Sequence, residues 1–328
     1  MLQYHVWSPF WPKFGRESKW RRNATALTRQ AGRALDAFTR RFGPPDLIHA
    51  RAIYPGGVAA VELGRRFDVP VVITEHLGPF PPPQLCVGGN RLMPFILEAY
   101  AGATALSADG SVLARRMSTL ALAAEVCTLP NFLPDEFGAS AKRREPQSGF
   151  HFLSTGWPSR EKGTDILLRA FARLDPPVRL TVIGASPQIG QFQTLAMELG
   201  VSDRVRWLGA VAREQLPAQL SACDAFVLPS QGENFGVAYI EALAFGKPLI
   251  ATRCGGPEDI VRPSNGLLVP IGDVEALAAA MGQIMRTIAQ YDPAVLRRDF
   301  LERFSASSVI RQTEVWYRDA IKRYRAGR

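Results

Sequence analysis

Two carboxylates that could do chemistry, Glu233 and Glu241, lie in the segment Glu233-Asn-Phe-Gly-Val-Ala-Tyr-Ile-Glu241 with seven residues between them. The residues before this pair, 224–230, are typical of a short buried strand, and 237–245 predict an apolar helix that begins after Gly236. Glu233 is therefore expected in a loop and Glu241 inside a helix. Ligands of open α/β sheets bind at the carboxyl ends of strands, so this layout could serve a nucleotide-sugar site.

The start of this helix offers a place for a diphosphate. The backbone amides of Phe235, Gly236 and Val237 have no partners in a preceding helical turn, and such amides attract anions. Asn234 belongs to the same stretch. We therefore expect residues 234–237 to contact the diphosphate of a nucleotide sugar, the donor of a sugar-transfer reaction.

The two acids would have different roles. Glu241 could accept hydrogen bonds from the two ribose hydroxyls, whereas Glu233 would lie nearer the reacting sugar. The alternative is that Glu233 is a solvated loop acid and Glu241 an exposed helix residue. The apolar neighbours of Glu241, such as Ile240 and Leu243, make a surface-only role unusual for it.

Other short motifs accompany the acid pair in a fixed order. They are Leu129-Pro130-Asn131, Gly156 with Lys162-Gly163, Val205-Arg206-Trp207-Leu208-Gly209, Val227-Leu228-Pro229-Ser230, Gly255-Gly256-Pro257-Glu258 and Asn265-Gly266-Leu267-Leu268-Val269. As a set, they resemble the retaining glycosyltransferases of family 4, among the group 1 glycosyltransferases, from Asp46 to the last helix. The resemblance implies the α/β GT-B fold, in which two Rossmann-like, doubly wound parallel-sheet domains face a cleft.

The resemblance also implies roles for individual residues. Lys162 matches the family's phosphate-binding lysine, and His76 matches the histidine beside the donor sugar. Trp157 stands where the family usually has an arginine, for which Arg160 could substitute. The plainer alternatives are solvated cations for Lys162 and Arg160, and a structural group for His76. For His49, which lies within a predicted strand, the structural interpretation is favoured.

Composition places limits on the class of protein. With 328 residues, 47% hydrophobic and 21% charged, the chain predicts two folded domains. Its four cysteines are scattered singly, which indicates a reducing cytoplasm. The sequence has neither a secretory apolar segment nor an apolar run of the ~18–20 residues that span a membrane. No cluster indicates a metal site, and GT-B enzymes as a class do not require one.

The net charge of +9 is concentrated near the start of the chain. The basic residues there are Lys13, Arg16, Lys19, Arg21, Arg22, Arg29, Arg33, Arg40 and Arg41, interleaved with Trp7, Phe10, Trp11, Phe14 and Trp20. An anionic membrane, a nucleic acid or solvent alone could face such a surface. Because the resembling family often glycosylates lipid-linked acceptors, we favour peripheral contact with the inner face of the membrane and expect no nucleic-acid partner.

Alternating strand and helix patterns divide the chain. Residues 149–304 predict the nucleotide-sugar-binding domain, and 1–140 with a last helix at 305–328 predict the acceptor-side domain, joined by a linker at Gly138–Gly149. Predicted strands cover 46–50, 69–74, 103–107, 126–129, 150–155, 178–184, 205–211, 225–229, 248–252 and 267–270. The opening strands usual in the family have no clear counterpart before Asp46, so the first domain is expected to be shortened.

The sequence therefore predicts a metal-independent, retaining glycosyltransferase without a cofactor. Its donor would be a UDP- or GDP-type nucleotide sugar, and its acceptor a glycan or lipid-linked hydroxyl in cell-surface polysaccharide or glycolipid synthesis. Two alternatives stay open: a nucleotide-sugar-binding subunit with impaired catalysis, and another GT-B enzyme such as a sugar-nucleotide epimerase.

Overall fold

The computed structural model describes residues 17–120, 125–139 and 149–327. The chain divides into two compact units, one formed by Met1–Pro130 with Ile310–Arg328 and the other by Asn131–Val309. The expected linker at Gly138–Gly149 lies largely outside the described residues. The same holds for residues 1–16, so the predicted shortening of the first domain stays a prediction.

A parallel sheet forms the centre of the first unit. The described strands of this unit are β1 (Ile48–Arg51), β2 (Val71–Glu75), β3 (Cys86–Val87), β4 (Arg91–Leu92), β5 (Ala105–Ala108) and β6 (Val126–Thr128), of which β3 and β4 form a separate antiparallel pair. The parallel strands run in the order β1-β2-β5-β6. The helices are α1 (Glu17–Phe42), α2 (Val58–Phe67), α3 (Pro94–Ala101) and α4 (Ser111–Ser118).

Helix α1 is an element that the sequence patterns did not predict. Its buried residues, Trp20, Ala24, Thr28 and Gly32, are spaced four apart and form one narrow stripe. Trp20 is 2% exposed and packs edge-on against Tyr54 with ring centroids 4.8 Å apart. The expectation that Trp20 is a membrane-facing ring is therefore wrong, because the hydrophobic core already covers it.

The second unit contains a larger parallel sheet. Its strands are β7 (Phe150–Thr155), β8 (Val178–Ile183), β9 (Val205–Gly209), β10 (Ala225–Leu228), β11 (Leu249–Thr252) and β12 (Gly266–Val269). Its helices are α5 (Thr164–Phe171), α6 (Ile189–Glu198), α7 (Leu216–Ala222), α8 (Val237–Ala244), α9 (Pro257–Ile260), α10 (Val274–Thr287) and α11 (Pro293–Phe304). The strand order is β12-β11-β10-β7-β8-β9.

This strand order has a reversal that matters for ligand binding. From β7 the chain adds β8 and β9 on one side, and from β10 it adds β11 and β12 on the other. The carboxyl ends of β7 and β10 are therefore neighbours at the topological switch point, where open α/β sheets bind ligands. The predicted doubly wound parallel α/β architecture is confirmed.

The last helix, α12 (Ala306–Ala326), supplies part of the first unit's core. Ala320 is 1% exposed and belongs to a small apolar cluster with Val72 of β2 and Ala105 of β5. The hydroxyl of Tyr324 donates to Asp68 at 3.0 Å. In the described parts of the chain, no helix combines the length and the apolar character that crossing a membrane requires.

Candidate active site

The predicted loop acid, Glu233, is held by two donors beside the switch point. Its Oε1 accepts a hydrogen bond from Nζ of Lys162 at 2.6 Å and another from Oγ of Ser230 at 2.8 Å. The Glu233 side chain is 12% exposed and that of Lys162 is 31% exposed. A partly covered ion pair with a fixed hydroxyl partner is more than a solvated loop acid would form.

Backbone packing brings Lys162 to this place. Lys162 precedes Gly163, whose φ of +67° suits glycine and whose position leaves no room for a side chain, since a Cβ would lie 2.0 Å from the carbonyl oxygen of Pro229. The amide of Gln231 also donates to the carbonyl of Glu161 at 2.7 Å. The loop after β7 therefore rests directly on the loop after β10.

A third loop, which contains Gly255 and Gly256, supports Glu233 from the other side. The amide of Gly256 donates to the Glu233 carbonyl at 2.8 Å, and the Glu233 amide donates to the Cys254 carbonyl at 3.4 Å. A Cβ on Gly256 would lie 2.3 Å from the carbonyl oxygen of Phe235. This glycine thus permits a close approach to the protein's own backbone, which fixes the main chain on either side of Glu233.

The start of α8 has the geometry expected of an anion site. Gly236 occupies the N-cap position with a left-handed φ of 98°, and no side chain caps the helix. Val237 is 40% exposed, so the first turn is open to solvent. The Phe235 side chain is buried against Phe304, which means that Phe235 could contact a donor through its backbone. Asn234 is half-buried in the same stretch.

Glu241 lies one turn further along α8 than Val237. Its side chain is half-buried, and burial raises the pKa of this carboxyl, while the charge of Arg213 acts in the opposite direction. A group that is partly removed from solvent gains more from hydrogen-bond donors than an exposed one does. The geometry is compatible with an acceptor for ribose hydroxyls, and the fully exposed position that the plain alternative supposed is not observed.

Arg160 stands apart from this arrangement. It is exposed and lines a surface pocket of about 360 Å³ together with Trp157, Ser159, Glu161, Gln188 and Gln191. Trp157 itself is 58% exposed. The structure therefore joins Lys162 to Glu233 but places the proposed substitute arginine beside the tryptophan instead.

His76 belongs to the first unit, directly after β2. Its Nε2 lies 3.0 Å from Nη2 of Arg51, and its Nδ1 lies 3.4 Å from Oδ2 of Asp109. Because a guanidinium can only donate, Nε2 is assigned as the acceptor and Nδ1 as the protonated nitrogen. The ring is 22% exposed, so it is held by partners and still accessible to a ligand.

The sequence interpretation missed several residues around these two positions. Glu75 is completely buried beside His76, Arg51 is the last residue of the neighbouring strand β1, and Asp109 directly follows β5. In the second unit, Ser230 is also completely buried and donates to Glu233. Each is a polar residue at the carboxyl end of a parallel strand, which is the signal that could have revealed it.

His49 occupies a structural position, as the sequence favoured. Its two ring nitrogens lie 2.6 Å from the Tyr317 hydroxyl of α12 and 2.8 Å from the Thr74 hydroxyl of β2. Burial, with the nearby charges of Arg51 and His76, lowers its pKa to about 4. His49 is therefore neutral at physiological pH and connects the last helix to the sheet.

Metal-ligating side chains do not gather in the described parts of the chain. Within residues 17–120, 125–139 and 149–327, no three His, Cys, Asp or Glu side chains are grouped so that they could hold an ion. The four cysteines are all free thiols.

Comparison with curated proteins shows partial similarity to glycosyltransferases. The chain is 33% identical over 135 residues to the GDP-mannose-dependent alpha-(1-6)-phosphatidylinositol monomannoside mannosyltransferase of Mycolicibacterium smegmatis, covering 38% of this chain and 35% of that protein. It is 34% identical over 177 residues to the lipopolysaccharide core biosynthesis glycosyltransferase LpsE of Rhizobium meliloti, covering 53% and 51%. The chain thus spans between about a third and a half of these relatives.

Solved structures with the same fold cover almost the whole chain. Sucrose-phosphate synthase from Thermosynechococcus elongatus aligns with a TM-score of 0.72 at 23% identity, over 93% of this chain and 80% of that one. Anabaena HepE in complex with UDP aligns with a TM-score of 0.75 at 19% identity, over 91% and 82%. At this level of identity, the similarity shows the fold.

Family models match both halves of the chain. Residues 4–131 match the glycosyl transferase 4-like domain, and residues 138–290 match the glycosyl transferases group 1 model. The second match contains Lys162, Glu233 and Glu241, and the first contains His76. The chain thus contains a segment similar to the glycosyl transferase 4-like domain followed by a segment similar to the group 1 glycosyl transferases, and its fold is of the GT-B type.

Proposed function

We propose that this protein transfers a sugar, most simply a hexose, from a nucleotide diphosphate donor to an acceptor hydroxyl with retention of configuration. The observation that carries this proposal is the Lys162–Glu233 pair beside the open start of α8, at the switch point of the second sheet. A cation, a helix start and a fixed carboxylate at one edge suit a diphosphate next to a sugar.

Each group would have a distinct part in donor binding. Lys162 carries three N–H donors, and because Glu233 accepts one of them, the others can bind a phosphate oxygen. The backbone at residues 234–237 would receive the diphosphate, and Glu241 would accept hydrogen bonds from the ribose hydroxyls. Arg160 would add positive charge at the rim of the site.

The reaction would be a substitution on one face of the sugar ring. The bond from C1 to the leaving phosphate oxygen breaks while a bond from C1 to the acceptor oxygen forms on the same face. The acceptor's hydroxyl proton passes to the departing nucleoside diphosphate. Glu233 and His76 would contact the sugar, and Lys162 would stabilise the charge that develops on the phosphate. This scheme assigns no step to a metal ion or a cofactor.

The names of the relatives support classes of substrate. One relative is named for GDP-mannose and a phosphatidylinositol monomannoside, another for the lipopolysaccharide core, and one structural neighbour was solved with UDP. A UDP- or GDP-linked sugar and a glycan or lipid-linked acceptor are therefore the substrates that we propose.

We also propose that the protein acts at the cytoplasmic face of an anionic membrane, and the exposed basic side chains of α1 support this proposal. In its described length, the side chains of Lys19, Arg22, Arg29, Arg33 and Arg40 are exposed. Six further residues of the predicted contact surface, Trp7, Phe10, Trp11, Lys13, Phe14 and Arg16, lie outside the described residues. Basic side chains gain electrostatic energy near anionic lipids, so we propose a peripheral contact. Co-sedimentation with anionic vesicles, and none with zwitterionic ones, is the expected result.

A thermal-shift titration with UDP, GDP and ADP tests the donor site. A ligand that binds the folded protein raises its melting temperature, so we expect one nucleotide to stabilise the wild-type chain. Glu241→Ala should lose that stabilisation. Absence of any shift with all three nucleotides would contradict the proposed donor site.

The exposed Trp157 favours a second candidate function. An indole cannot neutralise a phosphate, and Arg160 lines a pocket with Trp157 rather than joining Lys162. The chain could thus be a nucleotide-sugar-binding subunit with impaired catalysis. Donor binding without transfer to a panel of glycan and lipid-linked acceptors would favour that candidate, whereas measurable transfer would reject it.

A further inference from the structure

We propose that Glu75 is a positioning residue that fixes the backbone of His76. This inference rests on the proposed function, because it concerns how the first unit presents a histidine to the sugar. Glu75 itself is 0% exposed. Its effect on transfer would therefore pass through His76 rather than through contact with a substrate.

The Glu75 carboxylate collects four donors from three segments. Oε1 accepts from the backbone amides of His76 and Leu77, at 2.8 and 2.9 Å. Oε2 accepts from the amide of Ile53 at 3.1 Å and from the hydroxyl of Tyr100 at 2.7 Å. The first oxygen thus holds the turn that leaves β2, and the second holds that turn to the segment after β1 and to α3.

Burial of a carboxylate such as that of Glu75 carries a desolvation penalty, so fold stability alone does not explain its presence. A buried carboxylate loses its hydration, and an apolar side chain of similar size often serves a fold equally well. Glu75 is the last residue of β2, in a strand whose other residues are also buried. Unlike an apolar residue, the carboxylate accepts hydrogen bonds from the main chain at His76 and Leu77. It therefore fixes the backbone conformation at the point where the chain leaves the sheet.

The ring of His76 is fixed by other residues. Asp109 faces Nδ1 and Arg51 faces Nε2, so the side-chain torsions are set from both sides. These contacts can direct the ring only if the Cα of His76 stays in place. Glu75 secures the backbone and the two neighbours secure the imidazole, an arrangement in which supporting groups orient a functional side chain.

The experiment compares Glu75→Met, Glu75→Gln and Tyr100→Phe in the full chain. Glu75→Met keeps the size of the side chain and removes all four acceptor contacts. Glu75→Gln retains one acceptor oxygen and should restore part of what the methionine loses. Tyr100→Phe removes a donor from Oε2 and leaves the bonds to His76 and Leu77 intact, so it is the matched control for a purely stabilising role.

We expect kcat to fall ~100-fold in Glu75→Met and ~10-fold in Glu75→Gln, because a misplaced catalytic group costs rate rather than nucleotide affinity. The affinity for free UDP or GDP should not change, since the proposed nucleotide site lies in the second unit. Tyr100→Phe should lower the melting temperature while kcat stays within ~3-fold of wild type.

A second readout does not depend on activity. Nitrogen NMR of the imidazole should show His76 in the Nδ1–H form in wild type and Tyr100→Phe, and a mixture of tautomers in both Glu75 variants. If Glu75→Met does not fold, Glu75→Gln decides the question. An unchanged His76 spectrum, or kcat that falls only in step with melting temperature in all three variants, would overturn the proposal. If wild type transfers no sugar, the proposed function fails, and the NMR comparison still decides the role of Glu75.

Discussion

Lys162 and Glu233 are 71 residues apart in the sequence, yet Nζ of the lysine lies 2.6 Å from Oε1 of the glutamate. Their loops follow β7 and β10, the two strands at which the order of the second sheet reverses. The pair therefore joins the two halves of this sheet at the edge where a diphosphate is expected. We expect the cation of Lys162 to contribute to nucleotide binding and the carboxylate of Glu233 to contribute to catalysis.

Removal of the cation should weaken nucleotide binding. In Lys162→Met, we expect the affinity for UDP or GDP to fall ~10-fold or more, or about 1.4 kcal/mol, because a charge-assisted bond to phosphate is lost. Isothermal titration calorimetry measures this. Lys322→Met, which removes an exposed lysine of α12, is the control and should bind as wild type does. Equal affinity in both variants would contradict the phosphate role of Lys162.

Removal of the carboxylate charge should affect catalysis more than nucleotide binding. Glu233→Gln keeps the side-chain size but pairs less strongly with Lys162. We expect kcat to fall ~100-fold, with the affinity for the free nucleotide within ~3-fold of wild type. Steady-state transfer assays and calorimetry on the same preparation separate the two effects. A large loss of nucleotide affinity with normal kcat would assign Glu233 to binding instead.

Gly256, whose backbone contacts that of Glu233, should not tolerate a side chain. In Gly256→Ala, the new Cβ would lie 2.3 Å from the Phe235 carbonyl oxygen, so the backbone must shift. We expect the free energy of unfolding to fall by about 1–3 kcal/mol, as overpacking typically costs. Gly190→Ala is the matched control, because a Cβ there meets no atom within 4 Å. Denaturant unfolding that gives the same stability for both variants would contradict this packing.

Stability should depend on pH through His49. Its pKa falls from 6.5 to about 4 in the folded protein, so between these values the unfolded chain binds more protons than the folded one. The free energy of unfolding therefore rises with pH across this window, and acidification from 6.5 to 4 should cost on the order of 2–3 kcal/mol. Chemical unfolding at several pH values measures this, and His49→Gln should flatten the profile relative to wild type. Parallel profiles would show that His49 does not titrate in this way.

The sheets were the most predictable part of the structure. The predicted strands, such as 150–155 and 225–229, agree with β7 and β10 within two residues at each end. Buried parallel strands form short, continuous apolar runs that depend little on distant partners, which is why pattern alone identifies them.

Helix α1 shows where that signal fails. Its buried stripe, Trp20, Ala24, Thr28 and Gly32, includes small and polar residues, and charged side chains occupy much of the remainder. An apolar periodicity is therefore weak, although the spacing of four is regular.

The site was predicted only in part, for a related reason. Glu233 and Lys162 could be proposed because they stand in recognisable motifs. The role of Glu75 depends on the amide of Ile53 and the hydroxyl of Tyr100, donors 22 and 25 residues away. The position of Glu75 at the end of a strand can be read from the sequence, but local sequence contains no information on which distant donors reach its carboxylate, so these hydrogen bonds could not be foreseen.

The contribution of α12 to the first unit has a consequence for biosynthesis. The ribosome makes residues up to Pro130 before the second unit, but Ala320, which packs with Val72 and Ala105, is made only after residue 309. Residues 131–309 emerge in between and contain all of the second unit. The second unit can therefore complete its folding before the first unit, although the first unit begins to be synthesised earlier. The apolar patch at Val72 stays uncovered until α12 has been made.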